Sequence, residues 1–175
     1  IAKYYSTEDL GNFVMAVTLL SLPTSLIGNA VSQVLYEHLS TYKEKFHFEE
    51  IKKILAILSF TSFAFLILYF FGEELIIDIA LGEKWRDSLS YIYILIPSFM
   101  LSYISKPFDR SCYYLGKPNW PIISAVIKLS LILISIIICI FFNYDFMFYV
   151  KLYCLATSAY YLIDFVYNYY LIIKN

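Results

Sequence analysis

Leu131–Phe142 reads LILISIIICIFF, a run in which only Ser135 and Cys139 interrupt the aliphatic and aromatic side chains. A strand of a membrane barrel alternates apolar and polar residues with period two, and this run does not alternate. Extended back to Asn119, the stretch Asn119–Phe142 carries a single charge, Lys128. A bilayer core about 30 Å thick is crossed by roughly 20 helical residues, so the stretch is long enough to span. Four others meet the same test: Phe13–Leu35, Ile51–Phe71, Ser88–Lys106 and Phe146–Ile173. The expected fold is all-α, a polytopic transmembrane bundle of about five spans plus a short interfacial helix.

Composition excludes the main alternatives. Apolar residues make up 61% of the 175 and charged residues 15%, against about 25% charged in an ordinary soluble domain. Mean hydropathy is +0.68. A globule of this length has too little interior to hide so much apolar surface. The net charge of -1 and the lack of a basic block argue against disorder and nucleic-acid binding. Cys112, Cys139 and Cys154 are odd in number and lack metal-ligand spacing, so neither a disulfide framework nor a metal site is expected. The sequence opens at Ile1 without a signal-type n-region, which reads as a piece of a longer polypeptide.

Residues 43–53 form a basic loop. Residues 73–87 contain Leu75–Leu81, too short to cross and suited to lying at an interface with Trp85 near the headgroups. Basic residues then set the orientation. Lys43, Lys45, Lys52, Lys53, Lys106, Arg110, Lys117 and Lys174 fall on one side; Lys3, Lys84, Arg86 and Lys151 fall on the other. The excess marks the cytoplasmic side, so the N-terminus is expected outside and the C-terminus inside. Aromatic clusters at Tyr144–Tyr149 and Tyr167–Tyr170 fit the two interfaces.

Polar residues within a span are expected to face other helices or a watery cavity, because lipid offers no hydrogen bonds. Thr18, Ser21, Ser25, Asn29 and Ser32 recur at helical spacing, with Gly28 alongside and Pro23 in mid-span. The third span repeats the pattern at Tyr91, Ser98, Ser102, Ser105 and Asp109. The fourth has Ser124, Lys128, Ser135 and Cys139; the fifth has Cys154, Ser158, Tyr161, Asp164 and Asn168. Ser59, Thr61 and Ser62 bunch at one level of the second span, which is therefore expected to be the most lipid-exposed. For the small hydroxyl residues, plain helix packing competes with a polar seam.

Lys128 and Asp164 are the costly residues, since a charge at mid-bilayer costs at least about 2.5–3.5 kcal/mol. Each lies nine residues from the same predicted side of its span, so both sit about 13–14 Å deep. Three readings stand: a structural ion pair, the lining of an aqueous cavity that meets an anion or coupling ion, or Lys128 snorkelling to the interface. The loop KPFDRSCYYLGKPNWP (Lys106–Pro121) gathers Lys106, Asp109, Arg110 and Lys117. The planar donors of Arg110 suit phosphate, while basic residues there also serve topology. His38 and His47 sit among charges and read as solvated loop residues. No nucleophile–base arrangement or catalytic carboxylate pair is present, so no enzymatic chemistry and no cofactor are expected.

Two stretches carry a family resemblance. KYYSTEDLGNFVMAVTLLSLPTSLIGNAVSQVLYEHLS (Lys3–Ser40) and LGEKWRDSLSYIYILIPSFMLSYISKPFDRSCYYLGKPN (Leu81–Asn119) resemble polysaccharide (O-antigen, Wzx-type) flippases of the MOP exporter superfamily. The resemblance implies two lobes of helices that rock around a central cavity. They would pass an undecaprenyl-pyrophosphate-type lipid-linked oligosaccharide across the bacterial inner membrane. It makes this chain most of a C-terminal lobe, whose partners are an N-terminal lobe of the same protein, membrane lipids and a coupling cation. Lys128, Asp164, Arg110 and Asn29 are then the candidate substrate-binding residues. A MATE-like multidrug antiporter, with Asp164 titrating against a cation, is the nearest alternative; an inactive truncated remnant is another. A surface-polysaccharide polymerase or ligase fits less well, because the outer loops are short.

Overall fold

A computed structural model of the chain describes residues 4–41, 48–72 and 82–174. The described residues are helical, with no strand among them, and five helices are long and apolar enough to cross a membrane. These are α1 (Thr7–Thr41), α2 (Phe48–Phe71), α3 (Ser88–Ser105), α5 (Trp120–Phe141) and α6 (Phe146–Lys174); α4 is the single turn Ser111–Tyr114. Together they make a multi-pass membrane protein. Residues 43–47 of the expected basic loop, with His47, and residues 73–81 of the interfacial segment lie outside the described residues, whereas residues 48–53 of that loop are the first turns of α2 and His38 lies in α1, a correction to the loop reading. Of the latter segment, Glu83–Trp85 forms a 3-10 turn.

Local chemistry sets the helix ends. Ser6 caps α1: its Oγ accepts from the Asp9 N–H at 3.0 Å and donates to Asp9 Oδ2 at 2.6 Å, which satisfies one free backbone donor of the first turn. Glu8 and Asp9 place negative charge at the positive end of the helix. Pro121 occupies the first turn of α5, where its missing N–H costs nothing. The same helix ends at Asn143, which takes a left-handed φ of 53°, and Tyr144 N–H closes back on Cys139 C=O at 3.0 Å. That terminator turns the chain into α6.

The centre of the bundle is α3, which packs against α1, α2 and α6, while α5 packs along α6. Half of the apolar window of α3 is buried inside the bundle, against 11% for α2. Among the five helices α2 is thus the least buried within the chain. Two apolar cores form. Toward the α5–α6 turn, Ala16, Leu20, Ile92, Leu95, Phe146 and Val150 interlock. At the opposite end Leu35, Leu58, Tyr103, Phe108 and Ile172 do so.

Between neutral side chains, single hydrogen bonds tie helix to helix. Ser88 donates to Asn12 Oδ1 at 3.0 Å (α3 to α1), Ser98 and Thr157 share a 2.6 Å bond (α3 to α6), and Tyr103 donates to Thr61 at 3.1 Å (α3 to α2). Lipid competes poorly for such groups, so these bonds fix which faces meet.

The α1 stripe is a correction to the sequence reading. The buried face of α1 is Asn12, Ala16, Leu20, Thr24, Ser32 and Leu35, whereas Thr18 and Asn29 are exposed and Ser21 and Ser25 half-buried. The hydroxyls of Thr18, Ser21 and Ser25 bond carbonyls of their own helix at 2.8, 2.8 and 3.0 Å. Bonded internally, they have no need of a neighbouring helix. Small volume sets the packed face instead: a Cβ on Gly28 would come within 3.3 Å of the Lys106 side chain.

Candidate functional site

Where α3 ends, Pro107 breaks the helix and the chain runs through a 3-10 turn (Lys106–Phe108) and α4 before entering α5. This elbow wedges between α1 and α6. It brings polar groups of α3, α5 and α6 to one level.

Asp164 is the anchor of that level. Only 4% of it is exposed, and three neutral donors surround its carboxylate. Trp120 Nε1–H reaches Oδ1 at 2.8 Å. Ser105 Oγ and Asn168 Nδ2 reach Oδ2 at 3.3 and 3.2 Å. Trp120 can present its indole edge because its face stacks on Tyr167, with centroids 3.6 Å apart at 18°. The Asp109 carboxyl approaches that of Asp164, with the Lys106 and Lys128 ammonium groups acting on it as well. Oδ1 of the fully buried Asn168 and Oγ of Ser111 in the elbow have no partner among the described residues.

Lys128 does not pair with Asp164. Its Nζ donates to the Tyr161 hydroxyl at 3.0 Å and lies 5.2 and 5.0 Å from the ring centroids of Tyr160 and Tyr161. No carboxylate stands within salt-bridge distance of it among the described residues. The ion pair that equal depth permitted is therefore absent: Lys128 turns to Tyr160 and Tyr161, and Asp164 takes neutral donors. Lys128 is half-buried, its charge softened by two aromatic quadrupoles but cancelled by none.

Of the remaining candidates, Arg110 lies exposed in the elbow, and its guanidinium bonds no side chain among the described residues. Asn29 is exposed on α1, and no hydrogen bond joins it to Lys128, Asp164 or Arg110. The structure thus gathers Lys128 and Asp164 around the α5–α6 seam, sets Arg110 at the neighbouring elbow and leaves Asn29 apart. Trp120, Tyr160 and the elbow's role escaped the sequence reading. The signal that could have found Trp120 was a donor-only indole one residue before Pro121.

Chemically, such a site offers an uncompensated cation and buried hydrogen-bond donors. Among the described residues no group of three or more His, Cys, Asp and Glu could hold a metal.

No curated protein and no solved structure matches the chain. A family model described as polysaccharide biosynthesis protein matches residues 1–90. Those residues hold α1, α2 and the first turn of α3, including the capped start and the tightly packed stripe described above. The Asp164 level lies beyond them. The match nevertheless spans over half of the sequence, and this multi-pass helical bundle belongs to the polysaccharide biosynthesis protein family.

Proposed function

We propose that the chain works in the flipping of a polyprenyl-pyrophosphate-linked oligosaccharide across the bacterial cytoplasmic membrane, as one lobe of a two-lobed transporter. The observation that carries this reading is Lys128, a cation within a span that has aromatic neighbours and no carboxylate partner among the described residues. An unpaired ammonium at that depth is tolerated if it serves a ligand, and a pyrophosphate supplies the missing charge. Arg110, exposed at the elbow, would meet the same group on entry through its fork of donors. Asp164 would act by position, holding α5 to α6 so that Lys128 stays aimed.

The exposed α1 face with Thr18 and Asn29 would meet a second lobe, and the sugar would pass between the two. Nothing in this cycle needs a bond to be made or broken, so the chain is proposed as a transporter component and not an enzyme. Its N-terminus would lie outside and its C-terminus in the cytoplasm.

The test is Lys128→Ala in the complete protein. Losing a charge-assisted bond of roughly 1.5–3 kcal/mol would cut surface glycan by about tenfold or more at unchanged membrane level. Wild-type surface glycan in that variant would remove Lys128 from the path.

A second reading rests on the approach of Asp109 to Asp164, which favours a coupling cation. Asp164→Asn would then abolish cation dependence and leave glycan contact intact.

A further inference from the structure

A groove of about 480 Å³ runs between the start of α5 and the last turns of α6, lined by Trp120, Leu162, Ile163, Val166, Tyr167 and Tyr170. That volume falls within the range of small-molecule clefts. Leu162, Ile163, Val166 and Tyr170 are each about half exposed, so no part of the described chain fills it. Its walls are apolar, apart from the tyrosine hydroxyls and an indole N–H that is turned inward to Asp164.

The groove also has a charged end. Lys174 places its Nζ 5.5 Å from the ring centroid of Tyr170. Lys117 lies one turn before Trp120, whose N–H bonds the Lys117 carbonyl at 3.1 Å. Both lysines are exposed, and neither has a carboxylate partner among the described residues. The first turn of α5, which lacks a side-chain cap, adds its partial positive charge at the same end. Asp164, the carboxylate nearest the indole, is buried behind it and consumed by its own donors.

An open apolar groove with exposed lysines at one end, unpaired with any carboxylate among the described residues, complements one class of molecule: an acyl chain joined to a phosphate. We propose that this groove is a binding site for an anionic phospholipid, with the chain against Val166 and Ile163 and the headgroup phosphate between Lys117 and Lys174. The site is separate from Lys128 and does not depend on what the protein transports.

Trp120 forms one wall, which makes occupancy measurable. The sequence has two tryptophans, so Trp85→Phe leaves Trp120 as the sole indole. The chain is reconstituted in phosphatidylcholine vesicles, and bromine-labelled phosphatidylglycerol or bromine-labelled phosphatidylcholine is titrated in at matched mole fraction.

With each lysine near the surface worth about fivefold in affinity, the labelled anionic lipid half-quenches Trp120 at a mole fraction at least about fivefold lower. Lys174→Ala and Lys117→Ala each reduce that preference, and the double variant removes most of it. Lys151→Ala, which removes an exposed charge near the other end of α6, leaves the preference intact. Equal quenching by both lipids in the parent chain would overturn the proposal. So would an equal loss in Lys151→Ala, which would trace the preference to net charge alone.

Discussion

The hydroxyl of Tyr69 donates to the backbone carbonyl of Leu19 at 3.3 Å, and Leu19 is the residue whose helical partner would have been the N–H of residue 23. Position 23 is proline, so α1 lacks that bond and α2 replaces it from outside. A helix break that would have left a polar atom facing apolar surroundings thereby becomes a joint between two helices. Substituting Tyr69→Phe removes the donor and little else. We expect a loss of about 1 kcal/mol in stability, the usual worth of such a bond, measured by unfolding in mixed micelles. In a Pro23→Ala background the restored N–H satisfies Leu19, so the effect of Tyr69→Phe shrinks and a double-mutant cycle reports positive coupling.

Trp120 and Asp164 make a similar joint between α5 and α6, this time to a charge. Trp120→Phe keeps an aromatic face for Tyr167 but takes the 2.8 Å donor from Oδ1. Bonds to charged groups contribute roughly 1.5–3 kcal/mol, so this variant should fall by about 2 kcal/mol. Asp164→Ala should cost at least as much, because it orphans the Trp120 indole and the Ser105 hydroxyl at once, while Asn168 keeps its 3.0 Å bond to the carbonyl of residue 164. A Trp120→Phe protein as stable as the parent would show that the other two donors suffice.

The Ser98–Thr157 bond at 2.6 Å joins the two most central helices, and both residues are buried. It is nonetheless expected to contribute little. Thr157 also donates to carbonyls of its own helix, at 2.7 and 3.2 Å, so its hydroxyl retains a partner when Ser98 is removed. Interhelical bonds in membranes average about 0.6 kcal/mol by double-mutant cycle, and a Ser98→Ala/Thr157→Val cycle should return about that value.

How far the sequence disclosed this architecture depended on which physical rule was in play. Span lengths follow from bilayer thickness, and the five long helices meet that measure. For α3, α5 and α6 the polar pattern largely matched the inward face: Ser98, Ser102 and Ser105, then Ser124, Ser135 and Cys139, then Cys154, Asp164 and Asn168 are buried, whereas Lys128, Ser158 and Tyr161 are half-buried and Asp109 is exposed. On α1 the same rule failed. Thr18, Ser21 and Ser25 are hydroxyl residues that satisfy themselves on the preceding turn, so polarity there carried no information about neighbours. The Asp164 level was half legible. Charge and depth singled out Lys128 and Asp164, but their separate partners, Tyr161 for the one and Trp120, 44 positions away in sequence, for the other, are encoded in no local pattern.

That separation yields a direct test at Lys128 itself. If its ammonium were tied to Asp164 in a buried ion pair, removing it would leave an uncompensated carboxylate and cost about 3–5 kcal/mol. In the observed arrangement the carboxylate has its own donors, and the ammonium has only Tyr161 and two ring faces. Lys128→Met preserves the length and most of the volume of the side chain while removing a charge that is expensive at this depth. Stability should therefore stay within about 0.5 kcal/mol of the parent or rise above it, even as function in the complete protein falls. A loss of about 3 kcal/mol or more on reversible unfolding would mean that Lys128 reaches Asp164 in the membrane, and the unpaired cation on which the proposed substrate contact rests would not exist.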